Sequence, residues 1–314
     1  MLLGTQSILF PGQGSQEANM GRDLAEHWPE AMDLWKKAEQ ICGLPLREIY
    51  WDTDQTAMAE TKNLQPALTV VNMNLWTFLA SKLKVKAVAG HSLGEFSALF
   101  AARVLSLDQC LQLVCLRGKL MDEVCNQEGS MAAILKLSQT QVEDLVTKAH
   151  QKTGQAIRIA NFNTPAQFVI SGHVQAVEHV CAAVKPLKGR AMVLPVCNAF
   201  HSPYMQEAGV ELARYMDKMD WKDPVISLYL NVTALPEPCG QKVLETMKAQ
   251  MTSSVHWIQT ITHQYDSGLR TFIELGPKGV LARMTGQILQ GKEEVRSLSV
   301  SSLEQAQGLE ESLA

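Results

Sequence analysis

Gly90-His91-Ser92-Leu93-Gly94 is a G-x-S-x-G pentapeptide set between the apolar run VKAVAG (85–90) and a helical pattern beginning GEFSALFAARVL. Glycines two residues either side of a serine permit a strained strand-to-helix turn that lifts the hydroxyl out of the sheet. The new helix then turns its free N–H groups toward developing negative charge. This is how an acyl-transfer nucleophile is presented. A serine hydroxyl needs a base to take its proton, so a histidine must stand nearby in space. His27, His150, His173 and His179 fall on or beside polar helical surfaces, His263 belongs to a polar helix, and His91 adjoins the serine but points elsewhere on the elbow. His201 follows the apolar strand RAMVLPV through Cys197-Asn198-Ala199-Phe200 and precedes Ser202-Pro203. Such a strand-to-helix loop is where catalytic groups are usually carried. His256, in SSVHW, is the weaker candidate.

No carboxylate stands out by spacing as a third catalytic member. An α/β-hydrolase would also place its histidine late in the chain, whereas a long stretch still follows His201. A Ser92–His201 dyad, its imidazole oriented by a backbone carbonyl or amide, meets the same chemical need. An oxyanion must also be held. The amide of Leu93 follows the nucleophile, and the loop Gly12-Gln13-Gly14-Ser15-Gln16 ends the strand QSILF; that loop is either a second donor or only a turn. Arg117 lies between Leu116 and Leu120, close to the helix face that should pack on the core. Arginine is rarely buried alone. It either snorkels, pairs with a protein carboxylate, or awaits a ligand carboxylate, for which its planar fork is better suited than lysine.

The elements that position these residues follow from periodicity. Helices are predicted over 30–41, over 66–83 with Pro66 opening the helix, and over 107–125 after the N-cap Ser106. Residues 131–194 read strand, helix, strand, strand, helix, strand, with helices at 138–150 and 173–184. The order βαββαβ is the ferredoxin-like unit. After His201 come a helix at 202–219, a strand at 225–231, helices near 240–252 and 255–266, a strand at 271–275, the turn GPKG and a further helical run. Strands alternating with helices imply an open, mainly parallel α/β sheet. The expected organisation is a catalytic body of residues 1–127 and 198–314, interrupted by a small unit at 128–197.

Composition narrows the class. A chain of 314 residues is long enough for two domains or for one with an insertion, and 46% apolar with 19% charged residues is ordinary globular composition. The net charge of −4 gives no field for nucleic acid or anionic membrane surfaces. The 7 cysteines are odd in number and contain no C-x-x-C, which reads as reduced core thiols in a cytosolic protein. The opening MLLGTQSILF has no basic n-region, and no stretch approaches the ~20 apolar residues of a membrane span. The protein is expected to be cytoplasmic.

Taken together and in order, PGQGSQ, GHSLGEFSAL, LRGKLM, NFNTPAQFVISG, NAFHSPYM and LGPKGVL resemble the malonyl-CoA:acyl carrier protein transacylases over nearly the whole chain. The likeness is greatest to the free-standing, trans-acting acyltransferases of modular polyketide synthases. The resemblance implies an α/β-hydrolase-like large subdomain with a parallel sheet and an inserted ferredoxin-like α+β subdomain. It implies Ser92 as acyl-accepting nucleophile, His201 as base, Gln13 and Leu93 as oxyanion donors, and Arg117 as the grip on a malonyl carboxylate. Leu93 and Phe200 go with malonyl over methylmalonyl, Phe200 crowding an α-methyl group.

Two positions depart from the family pattern. His256 stands where relatives often carry Gln or Arg, at a place whose backbone carbonyl helps to orient the catalytic histidine, and GPKG replaces a more usual GPG. The implied partners are malonyl-CoA and an acyl carrier protein, discrete or within a polyketide synthase. No metal or redox cofactor, nucleic acid or membrane is implied, and the protein should be a monomer supplying polyketide or fatty acid synthesis. The alternatives are an acyl hydrolase that clears carrier proteins and an inactive carrier-docking module.

Overall fold

Two sheets organise the chain in a computed structural model that describes residues 6–52, 55–124, 128–196 and 198–313. Strands β1 (Gln6–Phe10) and β2 (Val85–Gly90) come first. A group follows, β3 (Gly129–Leu135), β4 (Ile157–Thr164), β5 (Gln167–His173) and β6 (Arg190–Val193), and then β7 (Ser227–Tyr229), β8 (Thr271–Leu275) and β9 (Arg296–Val300). The larger sheet has the order β7-β2-β1-β8-β9 with every neighbouring pair parallel. Ile8, Leu9 and Phe10 of the central strand are all fully buried, as in a parallel sheet covered on both faces. Strand β1 has β2 on one side and β8 on the other, and the crevice outside such carboxyl ends is where open α/β sheets hold ligands.

The smaller sheet has the order β4-β5-β3-β6, its pairs antiparallel. Its helices, Gln139–Thr153 and Val174–Val184, close a separate apolar core around Ile134, Phe168, Ile170, Val177 and Val180. Ser138 starts the first of these helices with a capping box to Gln141, and left-handed Gly154 ends it. The expected combination of a parallel α/β body and a small antiparallel α+β unit is therefore present. The two are stitched together backbone to backbone: the Phe162 N–H donates to Val255 O at 2.9 Å and the Val255 N–H to Ala160 O at 2.7 Å.

That stitch corrects one boundary, since Val255 is committed to β4 and the helix expected from 255 begins at Trp257. Helix Thr61–Leu79 starts a turn earlier than predicted, with Pro66 inside it rather than at its first position. The extra turn is anchored from outside, Asp122 accepting the Lys62 N–H at 2.9 Å. The strand read over 225–231 shrinks to β7, and the helix read over 202–219 splits into a 3-10 turn, Pro203–Met205, and helix Gln206–Met216. Strand β9 and the closing helix Leu303–Leu313 were not foreseen as separate elements. Of the presumed core thiols only Cys110 is buried; Cys42, Cys115, Cys181 and Cys239 are half-buried, and Cys125 and Cys197 lie outside the described residues. No helix among the described residues is long and apolar enough to cross a membrane.

Candidate active site

Strand β2 ends at Gly90, and the chain turns through His91-Ser92-Leu93 into helix Gly94–Ala101. The turn requires small residues: a Cβ on Gly90 would sit 1.9 Å from the Gly94 carbonyl carbon, and one on Gly94 2.0 Å from Phe10 O. Ser92 itself has φ +50°, a left-handed conformation that costs a non-glycine residue about 1–3 kcal/mol. Such strain persists only where the surroundings over-determine it. Here the Ser92 N–H is fixed by Asn231 Oδ1 at 2.7 Å, and the Asn231 side-chain amide donates to Gly90 O at 2.6 Å.

His201, also left-handed at φ +56°, brings Nε2 to 2.7 Å from Ser92 Oγ. Its Nδ1 faces two carbonyls, Ser253 O at 3.0 Å and Gln250 O at 3.2 Å, so Nδ1 carries the proton and Nε2 is free to accept one from the serine. A carbonyl thus does what a carboxylate does in a triad. Burial above all, then the charge of Arg117 and the neighbouring His91, push the His201 pKa down to about 3. The base is lost only when protonated, so its acid limb lies far below that of an ordinary histidine near 6.5. Labelling of Ser92 by a fluorophosphonate, a serine probe without a carboxylate, should stay level from pH 8 to pH 5. Half-loss near pH 6.5 would contradict this geometry.

Arg117 neither snorkels nor meets a protein carboxylate directly. It is 1% exposed on helix Leu107–Glu123, with Phe96 beneath its guanidinium at 5.8 Å. Its hydrogen bonds go to neutral acceptors, Nη2 to Ser92 Oγ at 3.1 Å and to Gln250 Oε1 at 3.2 Å, and Nε has no partner among the described residues. Burial lowers its pKa to about 10, so it is still a cation at neutral pH. The result is a desolvated positive charge at the nucleophile with hydrogen-bonding capacity to spare.

A cavity of about 300 Å³ opens onto Ser92 and His201. Gln13 and Ser92 stand in its wall, with Met131 and Val169 of the small sheet opposite, and Phe200 is beside His201. Leu93 is buried directly behind the nucleophile. Neither the Leu93 nor the Gln13 N–H donates to another protein group among the described residues, whereas the Ser92 N–H is already taken.

His256 does not join the site. Its ring stacks on Phe162 at 5.1 Å, and its carbonyl is drawn into helix Trp257–Asp266 as acceptor for the Thr260 N–H at 2.9 Å. The orienting carbonyls belong instead to Gln250 and Ser253. His91 turns away from the serine as expected, its Nε2 2.9 Å from Asn163 Oδ1. In the GPKG turn, Lys278 adopts φ +68° and Glu274 accepts the N–H groups of Val280 and Ala282, opening the helix whose Val280, Leu281 and Met284 line the cavity. Glu95, Asn231, Gln250 and Ser253 were missed. The one available signal was Glu95, a lone acid in the apolar run GEFSALFAA.

The chain matches known proteins along nearly its whole length. A malonyl CoA-acyl carrier protein transacylase of Staphylococcus aureus (strain MSSA476) is 32% identical over 307 residues, covering 97% of this chain and 98% of that protein. Among solved structures, FabD from Acinetobacter baumannii superposes with a TM-score of 0.92 at 30% identity, covering 99% of this chain and 98% of that one. A malonyl-transacylase solved in complex with its type II polyketide acyl-carrier protein does so with a TM-score of 0.91 at 29% identity, covering 98% of this chain and 100% of that one. With the acyl transferase domain matched over residues 8–309, the chain belongs to the acyl transferase family.

Proposed function

We propose that the protein transfers a malonyl group from malonyl-CoA to the phosphopantetheine thiol of an acyl carrier protein, through an ester on Ser92. His201 Nε2 takes the Ser92 proton as Oγ attacks the thioester carbonyl. The oxyanion is received by the Gln13 and Leu93 amides, and the proton goes to the departing CoA sulfur. The carrier's thiol then gives its proton to His201 and attacks the ester, restoring Ser92. No resident cofactor enters, because the thioester arrives already activated. The small unit at 128–197 forms one wall of the cleft, and Phe200 narrows the space beside the α-carbon, favouring malonyl over methylmalonyl. The product supplies extender units to polyketide or fatty acid synthesis.

The observation that carries this reading is the buried Arg117 guanidinium, 3.1 Å from the nucleophile and bonded, among the described residues, to neutral acceptors. A malonyl ester on Ser92 places a carboxylate within its reach, whereas an acetyl ester leaves the guanidinium without a directly bonded carboxylate. Relatives named malonyl CoA-acyl carrier protein transacylases support the assignment. Mass spectrometry after brief exposure to malonyl-CoA should show a malonyl adduct on the Ser92 peptide, discharged onto added holo carrier protein. Release of free malonate without acylation of the carrier would overturn the transferase in favour of a hydrolase.

A further inference from the structure

Glu95 is a charged side chain 1% exposed, one residue into helix Gly94–Ala101, and no transfer step uses it. Its Oε1 accepts the Asn231 N–H at 2.7 Å and its Oε2 accepts Gln250 Nε2 at 2.8 Å. The second proton of Gln250 Nε2 goes to Ser92 O at 2.8 Å. Both amide protons of Gln250 are thereby committed, and only its Oε1 is left to face Arg117 Nη2 at 3.2 Å. An amide side chain could lie either way round in this space. Two groups that only accept, the Glu95 carboxylate and Ser92 O, determine which.

We infer that Glu95 is a positioning residue for the carboxylate clamp: it holds Gln250 with its oxygen toward Arg117 and so aims the guanidinium at the acyl group on Ser92. Asn231 extends the device to the nucleophile. With its backbone N–H on Glu95, its side chain is left to bind Gly90 O and to accept the Ser92 N–H. The inference rests on Arg117 being the malonyl clamp. Burial alone would favour the neutral acid, and Glu95 is pushed up to about 7 against the opposing pull of Asn231, Gln250 and Arg117.

Glutamine at 95 keeps the shape but brings an NH₂ that must face either Gln250 Nε2 or the Asn231 N–H. Turning the Gln250 amide over relieves the first conflict but presents its NH₂ to Arg117, donor against donor, and its oxygen to Ser92 O, acceptor against acceptor. In Glu95→Gln, KM for malonyl-CoA is expected to rise about tenfold or more, with a matching fall in malonyl-over-acetyl preference. Fluorophosphonate labelling of Ser92, which needs nucleophile and base but no clamp, should fall several-fold less. Equal losses in the two assays would make Glu95 merely structural and overturn the inference.

Should the variant not fold, the wild type allows the same comparison, since protonating Glu95 also adds a donor. Arg117, the charged group that acts on it, stays a cation through the range, and the base His201 stays neutral. The malonyl-to-acetyl kcat/KM ratio, in which the CoA phosphates cancel, should fall between pH 8 and pH 5.5. A ratio that does not change would overturn the inference. Arg117→Ala, run in parallel, separates the two readings: if it keeps malonyl preference the clamp itself is wrong, and if it loses preference while Glu95→Gln keeps it, only the role of Glu95 fails.

Discussion

Ser92→Ala and His201→Ala are each expected to lower malonyl transfer by roughly 10⁴- to 10⁶-fold, with the double variant no worse than either alone. The two side chains share one proton across a 2.7 Å contact, so removing either member removes the whole nucleophile. What survives is binding in the cavity and the oxyanion donors, which need neither residue. Steady-state transfer to a holo carrier protein measures the loss. Ser92→Ala should also abolish the malonyl adduct. A His201→Ala variant within about a hundredfold of wild type would mean that another group takes the proton, and the geometry offers none, since His91 is held by Asn163 at 2.9 Å.

The second large effect is on selectivity. Arg117→Ala should lower kcat/KM for malonyl-CoA by about 10²-fold or more, the equivalent of roughly 3 kcal/mol, while acetyl-CoA turnover holds or rises. The asymmetry follows from burial. In the wild type a malonyl carboxylate bonds a buried guanidinium directly, and an acetyl group leaves that guanidinium without a carboxylate to bond; in the variant the malonyl anion is the one left unpaired. Competition between the two CoA esters, read from the mass of the acylated Ser92 peptide, checks it directly. An unchanged ratio would remove Arg117 from substrate recognition.

The contrast between what the chain reveals and what only folding reveals is physical. Ser92 was legible because its turn is local: glycines two residues away on either side exist only to let strand β2 become a helix. His201 and Arg117 were legible by type, a histidine in a strand-to-helix loop and a cation among leucines. Asn231, Gln250 and Ser253 are neutral residues without a local pattern, and they reach the nucleophile and its base from across the chain. Nothing in their neighbours marks them. His256 was misread for a related reason, because a backbone carbonyl carries no residue identity and a shift of three positions, from 256 to 253, is invisible in sequence. In the fold, period-2 alternation in the short, partly exposed β9 was hidden beside a helical pattern, whereas the buried runs of β1, β2 and β8 stood out.

The stitch between the sheets has a mechanical meaning. Val255, bonded to β4 on both its N–H and its C=O, lies two residues from Ser253, whose carbonyl orients His201. On the other flank, Phe200, which immediately precedes His201, offers its carbonyl to Ser171 Oγ of β5 at 2.6 Å. Two tethers of the base thus end on the small sheet, while a third, Gln250 O, belongs to a residue whose side chain is bonded to Ser92 O and Glu95 beside the nucleophile. A shift of one sheet against the other would therefore pull His201 between its small-sheet tethers and its contacts to Gln250 and Ser92.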